Sequence, residues 1–213
     1  MPFPRKLSFE TTRFPDGFIA EGLCKPRKRI KSPDGEMVGP IAGGLFACLD
    51  DPEAVDARRM RLQPGRAKRF NGLRVRSQRS QVPTLGADGA CLSYPGVHLK
   101  KGERLVFGWH FMSWSELPWN DFAVFEAIAD DSSGYGLAPH VLCDLAELVE
   151  RSHPRYASGW CVTQWELLHD FSGTLAWTVA NGQEVTDPAM IECEPEAYAN
   201  PAALLLDDIR VYR

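Results

Sequence analysis

The segment Arg104–Met112 places a large apolar side chain at every second position. Successive side chains of a β-strand point to opposite faces, so Leu105, Phe107, Trp109 and Phe111 would all lie on one face. A helix would spread the same four side chains around its axis, and the spacing therefore predicts a strand with one buried face.

Short apolar runs separated by turn residues recur along the chain, which is typical of an all-β sandwich. No long helical periodicity interrupts them, which argues against a helical bundle or an alternating α/β fold. With 213 residues and 44% hydrophobic residues, a single β-sandwich domain over 1–213 is the simplest expectation. The predicted strands are Leu7–Glu10, Gly43–Leu49, Leu73–Arg76, Ala90–Tyr94, Arg104–Met112, Phe122–Ile128, Trp160–Leu168, Gly173–Val179 and Ala202–Tyr212, with a short helix at Asp144–Arg151 and a turn at Asn181–Gly182.

The net charge of −4 conceals an uneven distribution along the chain. Residues 1–80 hold 17 Lys and Arg against 9 Asp and Glu, whereas residues 81–213 hold 7 against 19. The basic runs Lys25–Lys31 and Arg58–Arg69 lie in a Pro- and Gly-rich stretch, about residues 24–72, which we interpret as a loop-rich insert in an irregular N-terminal third. Such runs can neutralise phosphates, but no nucleic-acid-binding signature accompanies them. We therefore expect solvated basic loops, or basic loops packed beside acidic ones, and no nucleic-acid partner.

The chain lacks the signatures of membrane and secreted proteins. It has no run of about 18 apolar residues that would span a membrane, and no apolar segment follows the basic N-terminus as in a secretory signal. We therefore expect a cytoplasmic protein, with export by another route left open. The cysteines form no Cys-x-x-Cys pair, so we expect free structural thiols in place of a zinc or redox site. They are Cys24, Cys48, Cys91, Cys143, Cys161 and Cys193.

The closing segment Ala202–Tyr212 carries two carboxylates, Asp207 and Asp208, in the middle of an apolar run. In a regular strand Asp207 shares a face with Leu205 and Ile209, and that face is expected to be buried. A buried carboxylate is costly unless a metal ion, an arginine or backbone donors meet it. The segment therefore predicts a buried carboxylate with one of these three kinds of partner.

Three pieces of the sequence, taken in order, resemble parts of one family of bacterial β-sandwich modules. The chain resembles jelly-roll modules of the galactose-binding-like, carbohydrate-binding-module type, best over about residues 100–213. The resemblance implies an all-β jelly-roll sandwich that binds carbohydrate without catalysis. It also implies that the strand Arg104–Met112 lies within this sandwich, with Phe107 and Trp109 buried. The matching pieces are Ser8–Glu10, Gly102–Phe107 with Leu117–Ala123, and Ser172–Gly182 followed by Leu204–Ile209.

The resemblance also implies a structural calcium ion held between the first and last strands. Calcium takes 6–8 oxygen ligands from carboxylates, carbonyls and water. Glu10 on the opening strand and Asp207 on the closing strand would supply two of them, with Asp208 as the alternative if a bulge shifts the register. The competing interpretation is that Asp207 or Asp208 pairs with an arginine or caps a turn.

The segment Trp114–Asp121 follows the strongly alternating strand and contains a proline, so part of it is predicted to be a loop. Exposed indole rings of Trp114 and Trp119 would stack on the apolar face of a sugar, while Asn120 and Asp121 bind its hydroxyl groups. Alternatively the tryptophans pack in the protein, and Asn120 and Asp121 form a turn with local hydrogen bonds. Trp160 and Trp165 are weaker candidates for the same surface.

The leading functional prediction is a non-catalytic module for a carbohydrate or another polyhydroxylated ligand. The alternative is a structural or protein-interaction protein on the same scaffold, acting through the acidic segment Asp187–Asn200 or by self-association. A third alternative is a glycoside hydrolase that uses carboxylates such as Glu126, Asp130 and Asp131, whose separation the sequence does not determine. The chain has no P-loop, dinucleotide-binding or nucleophile-elbow motif that would point to other enzymes.

Overall fold

A computed structural model of the chain describes residues 3–54, 73–79, 81, 83–130, 136–150, 156–183 and 200–213. These residues form two six-stranded antiparallel sheets and a separate two-stranded hairpin. The strands are β1 (Lys6–Leu7), β2 (Ile19–Glu21), β3 (Lys25–Arg27), β4 (Ile30–Lys31), β5 (Met37–Val38), β6 (Phe46–Leu49), β7 (Arg74–Arg76), β8 (Pro83–Leu99), β9 (Arg104–Ser113), β10 (Phe122–Ala129), β11 (Leu137–Asp144), β12 (Cys161–Glu166), β13 (Phe171–Gln183) and β14 (Ala202–Tyr212), and helix α1 is Leu145–Glu150.

The two sheets face each other across one apolar core. Sheet A has the strand order β12-β9-β14-β6-β3 with β1 added to β14, and sheet B has the order β11-β10-β13-β8-β2 with β7 added to β8. Phe107 of sheet A contacts Phe125 and Trp177 of sheet B, with ring centroids 4.9 and 5.5 Å apart. Phe107 is fully buried and Trp109 is 5% exposed, as the alternating pattern predicts. The all-β, jelly-roll sandwich prediction is confirmed by these two facing antiparallel sheets.

The N-terminal third is built into both sheets. β1 pairs with β14, so that Leu7 lies opposite Ile209, and the first and last strands are neighbours as the jelly-roll resemblance implies. β3 and β6 extend sheet A, and β2 pairs with β8 of sheet B. The stretch interpreted as a loop-rich insert therefore supplies strands to the sandwich over residues 24–54, while residues 55–72 lie outside the described part of the chain.

Residues 30–44, which we call the cover, lie on the outer face of sheet A. Ile30 is fully buried and packs with Val38, Met112 and Leu205 in an apolar cluster on that face. A Cβ atom at Gly108 would collide with the Ile41 side chain, which shows how closely the cover approaches β9. The side chains beneath it are at most 5% exposed: Phe46, Cys48, His110, Met112, Ala203, Leu205 and Asp207.

The closing strand contains a β-bulge that changes its alternation. Leu204 and Leu206 point into the main core, and Leu205 points to the outer face. The pairing with β9 then shifts between Asp207 and Arg210, and Asp208 has a φ of 52°. Ile209 consequently returns to the main core. The prediction that Ile209 shares a face with Leu205 is wrong because the bulge inserts an extra residue between them.

The predicted turn at Asn181–Gly182 is also wrong, because β13 continues through it to Gln183. Gly182 pairs with Gly86 of β8, and a Cβ atom at Gly182 would collide with the backbone of Asn120. The glycine is required here by the close approach of another chain segment. The sequence of one strand does not show which segment packs against it, so a glycine required by a close approach cannot be distinguished from a glycine in a turn.

Five cysteines lie among the described residues and carry free thiols: Cys24, Cys48, Cys91, Cys143 and Cys161. Cys193 lies outside the described residues. Burial raises the pKa of the Cys24 and Cys48 thiols well above the ordinary value. These two thiols are therefore protonated and unreactive near neutral pH. Within the described residues, no helix has the length and apolar character needed to cross a membrane.

Candidate functional site

An open cleft of about 540 Å³ lies between Trp114 and the tip of the β4–β5 hairpin. Trp114 follows β9, and its backbone N–H donates to the carbonyl of Pro201, 3.0 Å away. Its ring is half-buried, because one side packs against the apolar cluster beneath the cover. The cleft is lined by Lys31, Ser32, Pro33, Asp34, Gly35, Pro52, Glu53 and Trp114.

The hairpin tip is a tight turn that holds its polar groups on one side of the cleft. The Gly35 N–H donates to the Ser32 carbonyl at 2.9 Å, and the Ser32 N–H donates to the Glu36 carbonyl at 2.8 Å. The Ser32 hydroxyl donates to the Asp34 carboxylate. The Pro33-Asp34-Gly35 sequence suits such a turn, because Pro presets φ and Gly accepts a positive φ.

An ion-pair cluster holds the opposite wall of the cleft. The Asp51 side chain is 1% exposed and accepts a two-point contact from the Arg27 guanidinium, with both N–O distances 2.9 Å. Lys25 lies 3.0 Å from the same carboxylate. Glu53 accepts the Lys31 backbone N–H at 3.2 Å, which connects this wall to the hairpin. A bidentate arginine pair restricts geometry strongly, so the walls are held in place before any ligand arrives.

Asn120 supports the loop from the protein interior. Its side chain is 2% exposed, which differs from the exposed position that the loop interpretation predicts. The Asn120 amide nitrogen donates to Thr84 Oγ1 at 2.6 Å and to Asp144 Oδ2 at 3.2 Å. Its oxygen accepts the Ala146 N–H of helix α1 at 2.7 Å. Because these polar atoms are already bonded inside the protein, Asn120 does not present them to a sugar.

Asp121 is also buried and serves the same interior network. It is 0% exposed, and its carboxylate accepts the Ser113 hydroxyl at 2.7 Å and the Gly182 N–H at 2.8 Å. Burial raises the pKa of the Asp121 carboxyl to about 6, although the bonds from Ser113 and Gly182 act in the opposite direction. Asp121 therefore links β9, β10 and β13. These bonds differ from the local turn bonds of the alternative interpretation, because Ser113 and Gly182 lie 8 and 61 residues away along the chain.

The other tryptophans that the sequence suggested do not line the cleft. Trp119 is half-buried in the same loop, and its backbone N–H donates to the Glu116 carbonyl at 3.1 Å. The Trp160 indole N–H donates to the Gly39 carbonyl of the cover at 2.9 Å. Trp165 packs edge-on against Phe171 within the main core. Of the four site residues predicted for a ligand, only Trp114 lies in the cleft.

The carboxylates predicted for calcium are met by backbone donors and an arginine. Asp207 Oδ2 accepts the N–H groups of Ile41 and Ala42, each at 2.9 Å. Glu10 Oε2 accepts the Gly44 N–H at 3.0 Å. Asp208 Oδ1 accepts the Arg210 Nε–H at 2.7 Å. These three carboxylates thus hold the cover and the bulge.

Backbone N–H groups take the acceptor positions that a calcium ion would use. Two of them bind Asp207 Oδ2, one binds Asp207 Oδ1, and one binds Glu10 Oε2. Burial raises the pKa of Asp207, while the N–H bonds from Ala42, Asp208 and Ile41 act to lower it. Among the described residues, no group of three or more His, Cys, Asp or Glu side chains is placed to hold a metal ion.

His110 is a buried polar residue on the strongly alternating strand β9. It lies on the outer face of β9 beneath the cover and is 5% exposed. Neither ring nitrogen has a hydrogen-bond partner among the described residues, and the ring lies edge-on to Trp160 with centroids 5.7 Å apart. Burial lowers the pKa of His110 to about 4, although the charge of Asp34 acts to raise it. The imidazole is therefore neutral near pH 7.

Two of the carboxylates suggested for a glycoside hydrolase do not line the cleft. Glu126 lies within β10, and Asp130 is exposed just after it. Asp131 lies outside the described residues, as do residues 187–199 of the acidic segment and the basic run Arg58–Arg69.

Comparisons with known proteins identify similar architectures at low similarity. The sequence matches no protein-family profile and no curated protein. The chain is similar to a cleaved adhesin domain of Lys-gingipain from Porphyromonas gingivalis, with 14% identity, a TM-score of 0.40, and 97% of this chain and 96% of that one covered. It is similar to TmCBM61 in complex with β-1,4-galactotriose, with 11% identity, a TM-score of 0.40, and 97% of this chain and 94% of that one covered. It is also similar to the CBM22-1 xylan-binding domain of Xyn10C from Paenibacillus barcinonensis, with 12% identity, a TM-score of 0.38, and 97% of this chain and 90% of that one covered. The fold assignment rests on the two sheets themselves.

Proposed function

We propose that the protein is a non-catalytic carbohydrate-binding module whose ligand lies in the cleft beside Trp114. The observation that supports this function is the pairing of an aromatic wall with polar walls in one cleft. A sugar ring has an apolar face of C–H groups and a rim of hydroxyl groups. The indole of Trp114 suits the face, and the carboxylates of Asp34 and Glu53 suit the rim.

The two carboxylates are placed to accept hydrogen bonds from sugar hydroxyls. Asp34 is exposed at the hairpin tip, and the Glu53 side chain is 43% exposed on the opposite wall. An ionised carboxylate has about four acceptor positions, so each can bind a hydroxyl in addition to its protein partners. The Lys31 side chain adds a donor at the same edge. Hydroxyl groups that enter the cleft thus meet both acceptors and a donor.

The proposal is tested by titration calorimetry with the mono- and disaccharides of glucose, galactose, mannose and xylose, after screening on a neutral glycan array. We expect Trp114→Ala to weaken binding by at least about tenfold, because the stacking surface is lost. Trp119→Ala is the matched control, since Trp119 belongs to the same loop but lies outside the cleft. We expect this control to bind like the wild type.

Two outcomes contradict the proposal. One is a folded wild-type protein that binds none of these sugars. The other is binding that Trp119→Ala abolishes and Trp114→Ala leaves intact, which would place the ligand on the other side of the loop. Circular dichroism of each variant separates a lost ligand contact from a lost fold.

A further inference from the structure

We infer that the cleft takes a short uncharged glycan, or the uncharged end of a glycan chain, and not the interior of a long polysaccharide. This inference rests on the proposed function, because it concerns the ligand of the same cleft. It follows from three features of the described residues: the closed face of sheet A, the dimensions of the cleft, and the charges in its walls.

The outer face of sheet A is closed over strands β9, β14 and β6, three of its six strands. His110 and Met112 of β9 are at most 5% exposed, and Ala203 and Leu205 of β14 are fully buried. A polysaccharide running across the strands would need this face open along its length. The cover therefore removes the broad surface that a sheet of this size would otherwise present.

The cover is anchored at several points along its length. The Trp160 indole binds the Gly39 carbonyl at 2.9 Å. The N–H groups of Ile41 and Ala42 bind Asp207, which is fully buried. Hydrogen bonds to a charged group are about twice as strong as neutral ones, so this anchor is a strong one. A ligand would have to break these bonds to reach the sheet.

The cleft itself has space for few sugar rings. Its volume of about 540 Å³ lies in the range of ordinary small-molecule pockets. Trp114 supplies one stacking surface, and Trp119 does not extend it into a row because it lies outside the lining. One ring on Trp114 with its neighbour against the hairpin tip fills such a space. Further rings of a longer chain extend into solvent and add little affinity.

The charges of the walls favour an uncharged ligand. The lining contains two carboxylates, Asp34 and Glu53, against one ammonium, that of Lys31. Arg27, which lies 3.6 Å from Glu53, is already bound to the buried Asp51 at two points. A uronic acid therefore approaches two negative groups, while the Arg27 guanidinium beside Glu53 is already occupied. Repulsion between like charges makes this approach unfavourable.

The experiment is a series of calorimetric titrations over chain length and charge. The probes are β-1,4-linked glucose, galactose, mannose and xylose as mono-, di-, tri- and hexasaccharides, together with glucuronic and galacturonic acid and their disaccharides. We expect the Kd to reach its lowest value by the di- or trisaccharide and to change by less than about threefold up to the hexasaccharide. We expect uronic acids to bind at least about tenfold more weakly than the neutral sugars.

Matched variants connect these results to the cleft. Asp34→Asn and Glu53→Gln remove negative charge at nearly constant size, and we expect each to reduce the discrimination against uronic acids. Trp119→Ala should leave the dependence on chain length unchanged. Affinity that continues to rise to the hexasaccharide would overturn the inference while leaving the proposed function intact, as would tighter binding of uronic acids. Binding of no neutral sugar would overturn the proposed function, and this inference with it.

Discussion

Asp207 is a carboxylate that three backbone N–H groups hold inside the protein. Ile41 and Ala42 donate to one oxygen and Asp208 donates to the other, at 2.9, 2.9 and 2.7 Å. Of the three partners that the sequence left open for this residue, the structure shows backbone donors. The arrangement stabilises both the β-bulge of β14 and the position of the cover, because one side chain bonds to both.

Asp207→Ala should lower the free energy of unfolding by about 2–4 kcal/mol, because it leaves several donors unpaired near the sheet. Asp207→Asn keeps an acceptor oxygen, and we expect a smaller loss. Urea unfolding followed by tryptophan fluorescence measures both. Asp208→Asn is the control: its pair with Arg210 is partly exposed, so the change should stay below about 1 kcal/mol.

Thermal unfolding tests whether a calcium ion bound at these carboxylates stabilises the folded protein. If backbone donors alone hold Glu10 and Asp207, the thermal midpoint is the same with millimolar calcium and with chelator. A midpoint that rises with calcium concentration, and does so only while Glu10 and Asp207 are intact, would show that the ion displaces the N–H groups.

Asp121 predicts a stability that depends on pH. Its pKa is raised from 3.8 to about 6, so the folded protein binds this proton more tightly than the unfolded chain. The resulting stabilisation is present below about pH 4 and is lost as the pH rises through about 6, to a total of about 3 kcal/mol. Asp121→Asn should remove this slope. A difference in unfolding free energy between wild type and variant that stays constant from about pH 4 to about pH 7 would contradict the prediction.

The cover is the element that separates this sandwich from one with an open sheet face. Its position depends on contacts between segments that are distant in the chain, such as Ile41 with Asp207 and Gly39 with Trp160. His110 lies beneath it, and neither ring nitrogen is paired within the part of the chain that the structure describes. A positive charge placed there would lack both solvent and a hydrogen-bond partner. The stability of the cover is therefore coupled to the protonation of His110.

Acid should release the cover. The pKa of His110 is lowered to about 4, so the unfolded chain binds this proton first, and the stability present above about pH 6.5 is lost as the pH falls toward 4. We expect the amides of Ile41 and Ala42 to lose hydrogen-exchange protection at about pH 4.5, and to retain it in His110→Phe. Asp34 and Asp207 also titrate near the cover, so the comparison of variant with wild type at each pH isolates His110. Equal protection in both proteins would contradict the coupling.

At the scale of the whole molecule, the N-terminal third and the remainder form one sandwich. Phe9, Phe46 and Leu49 are fully buried, with Phe9 and Leu49 in the main core. β6 pairs with β14 through Leu204, Leu205 and Leu206, so its removal would open an apolar strand edge. These contacts join the two parts of the chain within one pair of sheets. That residues 1–213 fold as one domain stays a prediction.

Residues 73–213 expressed alone should therefore fail to fold. The fragment keeps the strongly alternating strands but loses β1 to β6 together with the cover. We expect poor dispersion in its amide NMR spectrum and a broad urea transition without cooperativity. Full-length protein is the control. Sharp cooperative unfolding of the fragment would show that the N-terminal third is a separate addition.

The alternation of apolar and polar residues along the sequence predicted the strands in which that alternation is strong. The bounds of β14 match the prediction, and β9 and β10 each differ from it by one residue at their C-terminal ends. β8 is much longer than the predicted Ala90–Tyr94, because its glycines, prolines and polar residues hide the alternation. Its extent is decided by pairing with β13, which continues from Leu99 to Leu85. Pairing of this kind is invisible in one strand read alone.

The candidate site was less predictable than the fold, for a physical reason. Trp114 was identified because a tryptophan in a loop suits a sugar whatever surrounds it. Asn120 and Asp121 carry the same chemistry, but the partners that bury them come from β8, β11, β13 and helix α1. Asp34 and Glu53 were missed because only the folded chain brings them opposite Trp114.

The sequence by itself determined the strongly alternating strands β9, β10 and β14, the burial of Phe107 and Trp109, and the burial of Asp207, because alternation is a local property with a repeat of two residues. The tertiary structure alone decided what meets each buried polar group. Ile41 and Asp207 are 166 residues apart and lie 2.9 Å from each other, N to Oδ2. Contacts over such separations depend on how loops cross the sheets, which no local repeat encodes. They determine both the closed face of sheet A and the cleft beside Trp114.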